Sequence, residues 1–327
     1  MPTTPAASLA LATALSLLCV APGAALSQTP YPSKSIRLLL GFPPSGGVDT
    51  LARLLGAELS ETLGQPIVIE NRTGAGSNIA LAALAKAAPD GYTLGLTTPA
   101  VTINPALYAR PGYDALRDFA PIGQVAADTY LMAVHPGLPV TSVRELVALA
   151  KKKPGELNYA SSGNGGASHL AGAMLATATG MQVTHVPFKG NPAAIMSVMS
   201  GDTHFVFGAP SSITPQAEAG KLRIIAATSA TRSALFPDYP TVAESGVPGY
   251  ESLAWYGLLA PAGTPADRIA RLSQALQAVM AKDSFRQAMA RSGFEARTGS
   301  PQEFQALMRS ELEKWGAVVK QTGMKLD

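Results

Sequence analysis

Cysteine is almost missing: the 327 residues contain one, Cys19. Cys19 lies in an apolar leader-like stretch, so the chain beyond it has no thiol, which excludes disulfides, thiolate catalysis and cysteine-ligated metals together. Leu18, just before it, is larger than the small residue a lipoprotein signal needs. Charge is also sparse, at 14% against about 25% in an average globular chain. The formal net charge of +3 is too small to mark a nucleic-acid footprint, so no nucleic-acid partner is expected. The longest basic run, Lys151 to Lys153, falls where a helix starting near Thr141 should end, and cations suit that negative dipole end. Past residue 30 no stretch is long and apolar enough to cross a bilayer. There is no phosphate-binding Gly-Lys-Ser/Thr loop, no Gly-x-Ser-x-Gly elbow and no His-Glu-x-x-His. Gly74-Ala75-Gly76 and Gly163-Asn164-Gly165 begin like a dinucleotide fingerprint, but Ile79 and Ser168 stand where its last glycine belongs. The four histidines, His135, His169, His185 and His204, are dispersed.

What is present starts with an apolar run from Leu9 to Val20, too short to span a membrane and followed by Pro22, Gly23 and the small residues Ala24, Ala25 and Ser27. It reads as a signal peptide over 1–27, cleaved after Ser27 or alternatively after Ala25, although no Lys or Arg precedes the run. An exported, periplasmic protein is expected. The 31 Gly and 26 Pro are spread along the chain, which excludes collagen-like and low-complexity structure, and 327 residues allow about two domains.

Apolar, β-rich runs alternate with helical patterns. Strands are expected over 36–40, 67–70, 92–97, 130–134, 157–160, 183–186, 205–207 and 223–227. Helices are expected over 50–63, 78–88, 142–152, 168–179 and 192–199. Such alternation predicts an α/β fold with parallel sheets. From Pro265 the texture becomes three helical segments, 265–280, 284–291 and 301–320, with Thr264 before Pro265 and Ser300 before Pro301 read as N-cap and first-turn pairs. Two stretches, 119–135 and 250–261, read as crossings between lobes. The expected layout is a discontinuous first lobe (28–128 plus 251–327), a continuous second lobe (129–250), and a cleft between them.

Four strand-to-helix turns share one design: Gly41 to Asp49, Asn71 to Asn78, Ala160 to His169, and Phe188 to Pro192. Glycine lets successive N–H groups face a common point, and the following helix adds partial positive charge there, so such a turn holds an anion without a basic side chain. In parallel α/β layers these turns gather at the carboxyl ends of strands, where ligands bind. Alternatively, the glycines serve tight turning alone and Asp49, Ser168 and Asn191 cap helices. Four turns, two per lobe, favour a shared anion site. Micromolar binding needs about 8 kcal/mol, and four or five donors at ~1.5–3 kcal/mol each reach it after closure is accounted for. A carboxylate fits that scale. Ser45, Ser77, Ser161, Ser162, Ser168 and Thr98 are the available hydroxyls. Asp49 either caps its helix or accepts a hydrogen bond from ligand. His169 either anchors its loop or forms half of a Ser-His pair. Arg72 either pairs with a ligand carboxylate or with Glu70, and Lys189 stays equally open. Trp255 and Tyr256 read as hinge packing.

At these turns the sequence resembles the Bug family, the TctC-like solute-binding proteins of tripartite tricarboxylate transporters. The resemblance runs through Gly41 to Asp49 with Ala52-Arg53, Gly64-Gln65-Pro66, Val68 to Gly76, Pro89 to Leu94, Asn104 to Tyr108 and Asp118 to Ile122. It continues through Tyr159 to Leu170, His185 to Gly190, Gly220 to Arg223, Pro240 to Gly246 and Ala260 to Pro265. It implies a type II periplasmic binding fold, two α/β lobes closing on a small organic carboxylate held by backbone amides and ordered water, with no metal or cofactor. For the ligand it marks the turns Phe42 to Asp49 and Ser161 to Ser168; with the turn and hydroxyl reading above, the candidate ligand-binding residues are Phe42, Ser45, Gly46, Gly47, Asp49, Gly76, Ser77, Thr98, Ser161, Ser162, Gly163, Gly165, Ser168, His169 and Lys189. Ala173 stands where relatives often carry Glu, His204 where Asp is usual, and Ser77 in place of a common Gly. The expected role is a non-enzymatic, monomeric protein that presents a di- or tricarboxylate, amino acid or aromatic acid to membrane permease subunits. The alternatives are a ligand sensor for a membrane-bound receptor and an exported hydrolase using Ser162 or Ser168 with His169.

Overall fold

The computed structural model describes residues 30–233 and 235–322; the leader expected over 1–27 lies outside them. In chain order the first elements are β1 (Ile36–Leu40), α1 (Gly47–Leu63), β2 (Ile67–Asn71), α2 (Asn78–Ala85), β3 (Thr93–Thr97) and α3 (Ala100–Leu107). Then come β4 (Phe119–Thr129), β5 (Leu131–Val134), α4 (Val143–Lys152), β6 (Asn158–Ser161), α5 (Ala167–Thr179) and β7 (Thr184–Pro187). The remainder is α6 (Asn191–Ser200), β8 (Phe205–Gly208), α7 (Pro210–Glu218), β9 (Arg223–Ala227), β10 (Leu253–Pro261), α8 (Ala266–Ala281), α9 (Asp283–Arg291), β11 (Glu295–Gly299) and α10 (Pro301–Thr322).

Two sheets result, ordered β2-β1-β3-β10-β4-β11 and β7-β6-β8-β5-β9. The two orders are versions of one plan. In each, three parallel strands are followed by a strand that has just come across from the other sheet, slotted in antiparallel. The expectation of purely parallel sheets is therefore corrected. A strand that has changed lobes enters its new sheet from the opposite end, so it must run against its neighbours. The stretches read as crossings are themselves strands: β10 pairs with β4 from Leu253 opposite Thr129 to Pro261 opposite Phe119.

Local signals account for the helix ends. Gly64, at φ +69°, closes α1 in a left-handed conformation that costs glycine little. Ser142 caps α4 by accepting from the Glu145 amide at 3.2 Å, and Lys151 and Lys152 occupy its last turn. At α10 the Ser300 hydroxyl accepts from the Glu303 amide while Glu303 accepts from the Ser300 amide, a reciprocal capping box. Thr264 does not cap α8. Its hydroxyl turns back to the Pro261 carbonyl at 2.8 Å, and Pro265 holds the cap position.

The apolar stripes of these helices meet the sheets in separate cores. One gathers Leu39, Leu84, Val101, Phe119, Trp255, Leu259 and Phe304 on the first sheet. Another gathers Met132, Leu146, Tyr159, Leu175, Phe205, Phe207 and Tyr250 on the second. Strand C-termini are thereby fixed from below, and the loops leaving them are held in register above. No helix among the described residues is long and apolar enough to cross a membrane.

Candidate functional site

Three of the four glycine turns converge. They line a cavity of about 280 Å³ together with the floor of the first sheet. The turn after β1 contributes Gly41, Phe42, Pro43 and Val48; the turn after β2 contributes Thr73, Gly74, Gly76 and Ser77; the turn after β6 contributes Ser162 to Ala167. Thr98, Pro99, Ala100 and Ile103 come from the start of α3, and Tyr130, Ala254 and Tyr256 from the crossings. No charged side chain is among these lining residues. Instead the first turns of α1, α3 and α5 reach the cavity through Val48, Ala100 and Ala167. The first intrahelical bonds of α1 and α5 are Thr50 N–H to Gly46 and Leu170 N–H to Gly166. Earlier amides in each helix, including those of Val48 and Ala167, have no intrahelical acceptor. They supply donors and partial positive charge to the cavity.

Each turn is braced from behind. Gly41 lies so close to Ser77 that a Cβ there would stand 2.3 Å from the Ser77 Cβ. Asn71 donates to the Phe42 carbonyl at 2.9 Å and to the Asp49 carboxylate at 3.0 Å. Asn104 donates to the Gly76 carbonyl at 2.8 Å and to Asn78 at 2.7 Å, holding a turn in which Ala75 and Ser77 both adopt positive φ. The fourth turn serves the third: Phe188 and Gly190 donate their amides to the Ser161 and Ser162 carbonyls, and this turn does not line the cavity.

Of the residues marked from sequence, Phe42, Gly76, Ser77, Thr98, Ser162, Gly163 and Gly165 are brought together around the cavity. The other eight do not line it. Asp49 is buried and committed: it accepts from the Ser45 amide, Asn71 and Arg53. The Arg53 hydrogen bond foremost, helped by Asn71 and the Ser45 amide, lowers its carboxyl to about 2 against the cost of burial. Gly46 is the N-cap of α1 and Gly47 its first residue, while Ser45, its amide bound to Asp49, is exposed. Ser161 is fully buried; its Oγ lies 2.5 Å from His185 Nε2 and accepts from the Gly163 amide at 3.2 Å. Ser168 accepts from the Ser162 amide, and its hydroxyl meets that of Ser162 at 2.9 Å. His169 Nδ1 accepts from the Gly165 amide at 3.0 Å. Lys189 sits on the bracing turn, away from the lining.

The Ser162, Gly163 and Gly165 amides, read from sequence as donors to a ligand, are therefore satisfied within the turn. The amides without an intrahelical acceptor come one step later, at the start of α5, where Ala167 lines the cavity. His169 stacks on His185 with ring centroids 3.7 Å apart and planes at 9°, on the outer side of the turn. Burial lowers His169 to about 4; burial and then the neighbouring His169 lower His185 to about 3. Both are neutral near pH 7.

Comparison with known proteins adds the family. A model of the tripartite tricarboxylate transporter family receptor, TctC, matches residues 51–324. The chain belongs to that family. BugT of Bordetella pertussis is 32% identical over 305 residues, covering 93% of this chain and 94% of BugT. Among solved structures, Rpa4515 of R. palustris with adipate is 37% identical with a TM-score of 0.82, covering 90% of this chain and 99% of that one. The periplasmic binding protein BugD is 32% identical with a TM-score of 0.79, covering 90% and 99%. The two-lobed periplasmic binding fold of TctC proteins is thus the fold of this chain.

Within that receptor fold, residues that sequence motifs do not flag complete the site. Val48 and Ala167 line it from the first turns of α1 and α5, Asn71 and Asn104 brace its turns, and Tyr130, Ala254 and Tyr256 line it from the crossings. Arg72 is engaged with Glu70 at 2.7 Å. His204 bonds Asn158 at 2.9 Å just before β8, at the opposite end of the second sheet from the turns. Trp255 is buried against Phe304 and packs as expected for the crossing, whereas Tyr256 faces the cavity.

Proposed function

We propose that this chain is an exported, periplasmic, monomeric solute-binding protein that closes its lobes, 28–128 plus 251–327 and 129–250, on a small organic carboxylate. It then presents that ligand to the membrane permease subunits of a tripartite tricarboxylate-type transporter. The observation carrying this reading is the composition of the cavity: the N-termini of α1 and α5, whose first-turn amides have no intrahelical acceptor, the N-terminus of α3, whose Ala100 amide is held by the Thr98 hydroxyl, no charged side chain, and walls from both lobes. Dipole and amide donors suit a carboxylate, which needs charge-assisted hydrogen bonds in a dry site more than a full counter-charge. Contacts on both walls are the differential interaction through which a ligand favours the closed form. The adipate in Rpa4515 and the malate in MatC of Rhodopseudomonas palustris are the ligand class this reading extends to the present chain.

The reading excludes turnover. Ser162 and Ser168 bond one another, His169 spends its Nδ1 on a backbone amide, and the one serine hydroxyl set against an imidazole in this turn, Ser161 on His185, is fully buried and does not line the cavity. Phe42, Gly76, Ser77, Thr98, Ser162, Gly163 and Gly165 then shape the pocket, while Val48 and Ala167 donate.

Ala167→Pro tests this directly. Ala167 is the first residue of α5, where proline fits, and Gly166 before it has φ −73° and ψ 161°, a conformation proline tolerates in its predecessor. The change removes one outward donor and little else. A carboxylate found by thermal-shift screening should bind about 10–100-fold more weakly by calorimetry, the equivalent of one charge-assisted hydrogen bond at ~1.5–3 kcal/mol. Unchanged affinity would dismiss the α5 terminus as the grip.

A further inference from the structure

Beneath the cavity floor lies a carboxyl that no bracing role consumes. Asp128, near the end of β4, is 3% exposed. Its Oδ2 accepts from the Tyr256 hydroxyl at 3.0 Å, and its Oδ1 is buried without a hydrogen-bond partner. Asp128 stands directly opposite Ala254 in the antiparallel β4–β10 pair. Opposed residues in such a pair share a sheet face with Cβ atoms about 5 Å apart. Ala254 and Tyr256 both line the cavity, so the carboxyl adjoins the floor with a methyl group and a phenol as its near neighbours. Burial foremost, and then Glu295 on β11, push this acid up to about 7 against the Tyr256 hydrogen bond. The groups interacting with it are Tyr256, Tyr130 and Glu295, phenols and an acid with no cation among them.

A second carboxylate brought here would meet an acid beside more acids. An ammonium would meet an unused oxygen, favour the ionised form, and satisfy a group whose isolation is costly. We propose that Asp128 is the specificity-determining residue for the second polar group of the ligand, and that the site takes a small carboxylate also bearing a primary ammonium. The carboxylate end goes to the helix termini, and the ammonium goes to the floor beside Tyr256 and Asp128. This deepens the carboxylate-binding reading and rests on it.

The test uses two matched pairs, adipate with 6-aminohexanoate and glutarate with glutamate, titrated calorimetrically into wild type and Asp128→Asn. At pH 8 wild type should prefer the amine-bearing member of at least one pair by about tenfold or more, and Asp128→Asn should reduce that ratio about tenfold. Wild type gives a second readout that does not depend on the variant folding. Affinity for the preferred amine should rise about tenfold per pH unit up to about 7 and then level off, as Asp128 ionises, while its partner diacid shows no such rise. A preference for the diacids, a ratio unchanged in Asp128→Asn, or a flat pH profile would each overturn the assignment while leaving carboxylate binding intact. Binding of none of the four would refute the carboxylate reading itself.

Discussion

The stacked histidines behind the third turn make acid a specific probe of the site. His169 Nδ1 must be unprotonated to accept the Gly165 amide, and protonating either ring sets a positive charge face to face with its neighbour at 3.7 Å. Burial holds folded His169 at about 4 against 6.5 in the open chain. The unfolded state therefore takes up protons first, and stability is lost as pH falls below 6.5, ending near 4. The slope for one group is about 1.4 kcal/mol per pH unit, which bounds the loss from His169 at about 3 kcal/mol. Asp128 acts in the opposite sense. Its folded value of about 7 lies above the open-chain value, so its contribution is full at low pH and fades as pH rises toward 7. The wild-type curve alone thus mixes opposed slopes, and the informative quantity is a difference. His169→Asn keeps an acceptor oxygen for the Gly165 amide but removes the titration. Urea unfolding between pH 7.5 and 5 should show wild type losing about 1 kcal/mol per unit more than the variant below pH 6.5. Equal slopes, or an imidazole of folded His169 titrating near 6.5 by NMR, would refute the argument.

Gly41→Ala forces a Cβ against Ser77 at 2.3 Å and against its backbone Cα at 2.7 Å; it should cost about 1–3 kcal/mol in urea unfolding and weaken ligand binding. Asp49→Ala removes the acceptor shared by the Ser45 amide, Asn71 and Arg53. It should lower stability by about 2–3 kcal/mol, checked by denaturant melts. Both tryptophans of the chain donate to one buried carboxylate, Glu311, from Trp255 at 3.3 Å and Trp315 at 2.7 Å. Glu311→Leu should shift the intrinsic fluorescence of the folded protein and destabilise it by about 1–3 kcal/mol, whereas wild-type fluorescence at pH 7 should match a two-indole environment sealed from solvent.

Sequence periodicity was enough to find the eight strands from β1 to β9 other than β4, with two sets of bounds, 36–40 and 223–227, matching residue for residue. Three kinds of element escaped it. α3 and α7 contain Pro105 and Pro215, residues that argue against helix when read locally. β4 and β10 read as connections because their strand character comes from pairing with one another between segments far apart in the chain, Leu253 with Thr129 and Pro261 with Phe119. β11 is a short, partly exposed edge strand whose side chains carry no alternation. At the site, glycine spacing before a helix located three turns that meet. Which amides remain for a ligand was not legible, since that depends on Ser168 Oγ and His169 Nδ1 folding back onto their own turn. A clue to the floor was present in Val125-Ala126-Ala127-Asp128, one acid inside an apolar run, the type of residue that seldom goes inside without a task.

On the function proposed above, the anion grip belongs to the main chain, and that separates two things that side-chain pockets tie together. Point mutation rarely deletes a peptide N–H, so drift among paralogues leaves the affinity for an acid group largely untouched. The few side chains on the floor can meanwhile be exchanged one at a time. Such a receptor can acquire new nutrients without passing through a form that binds nothing.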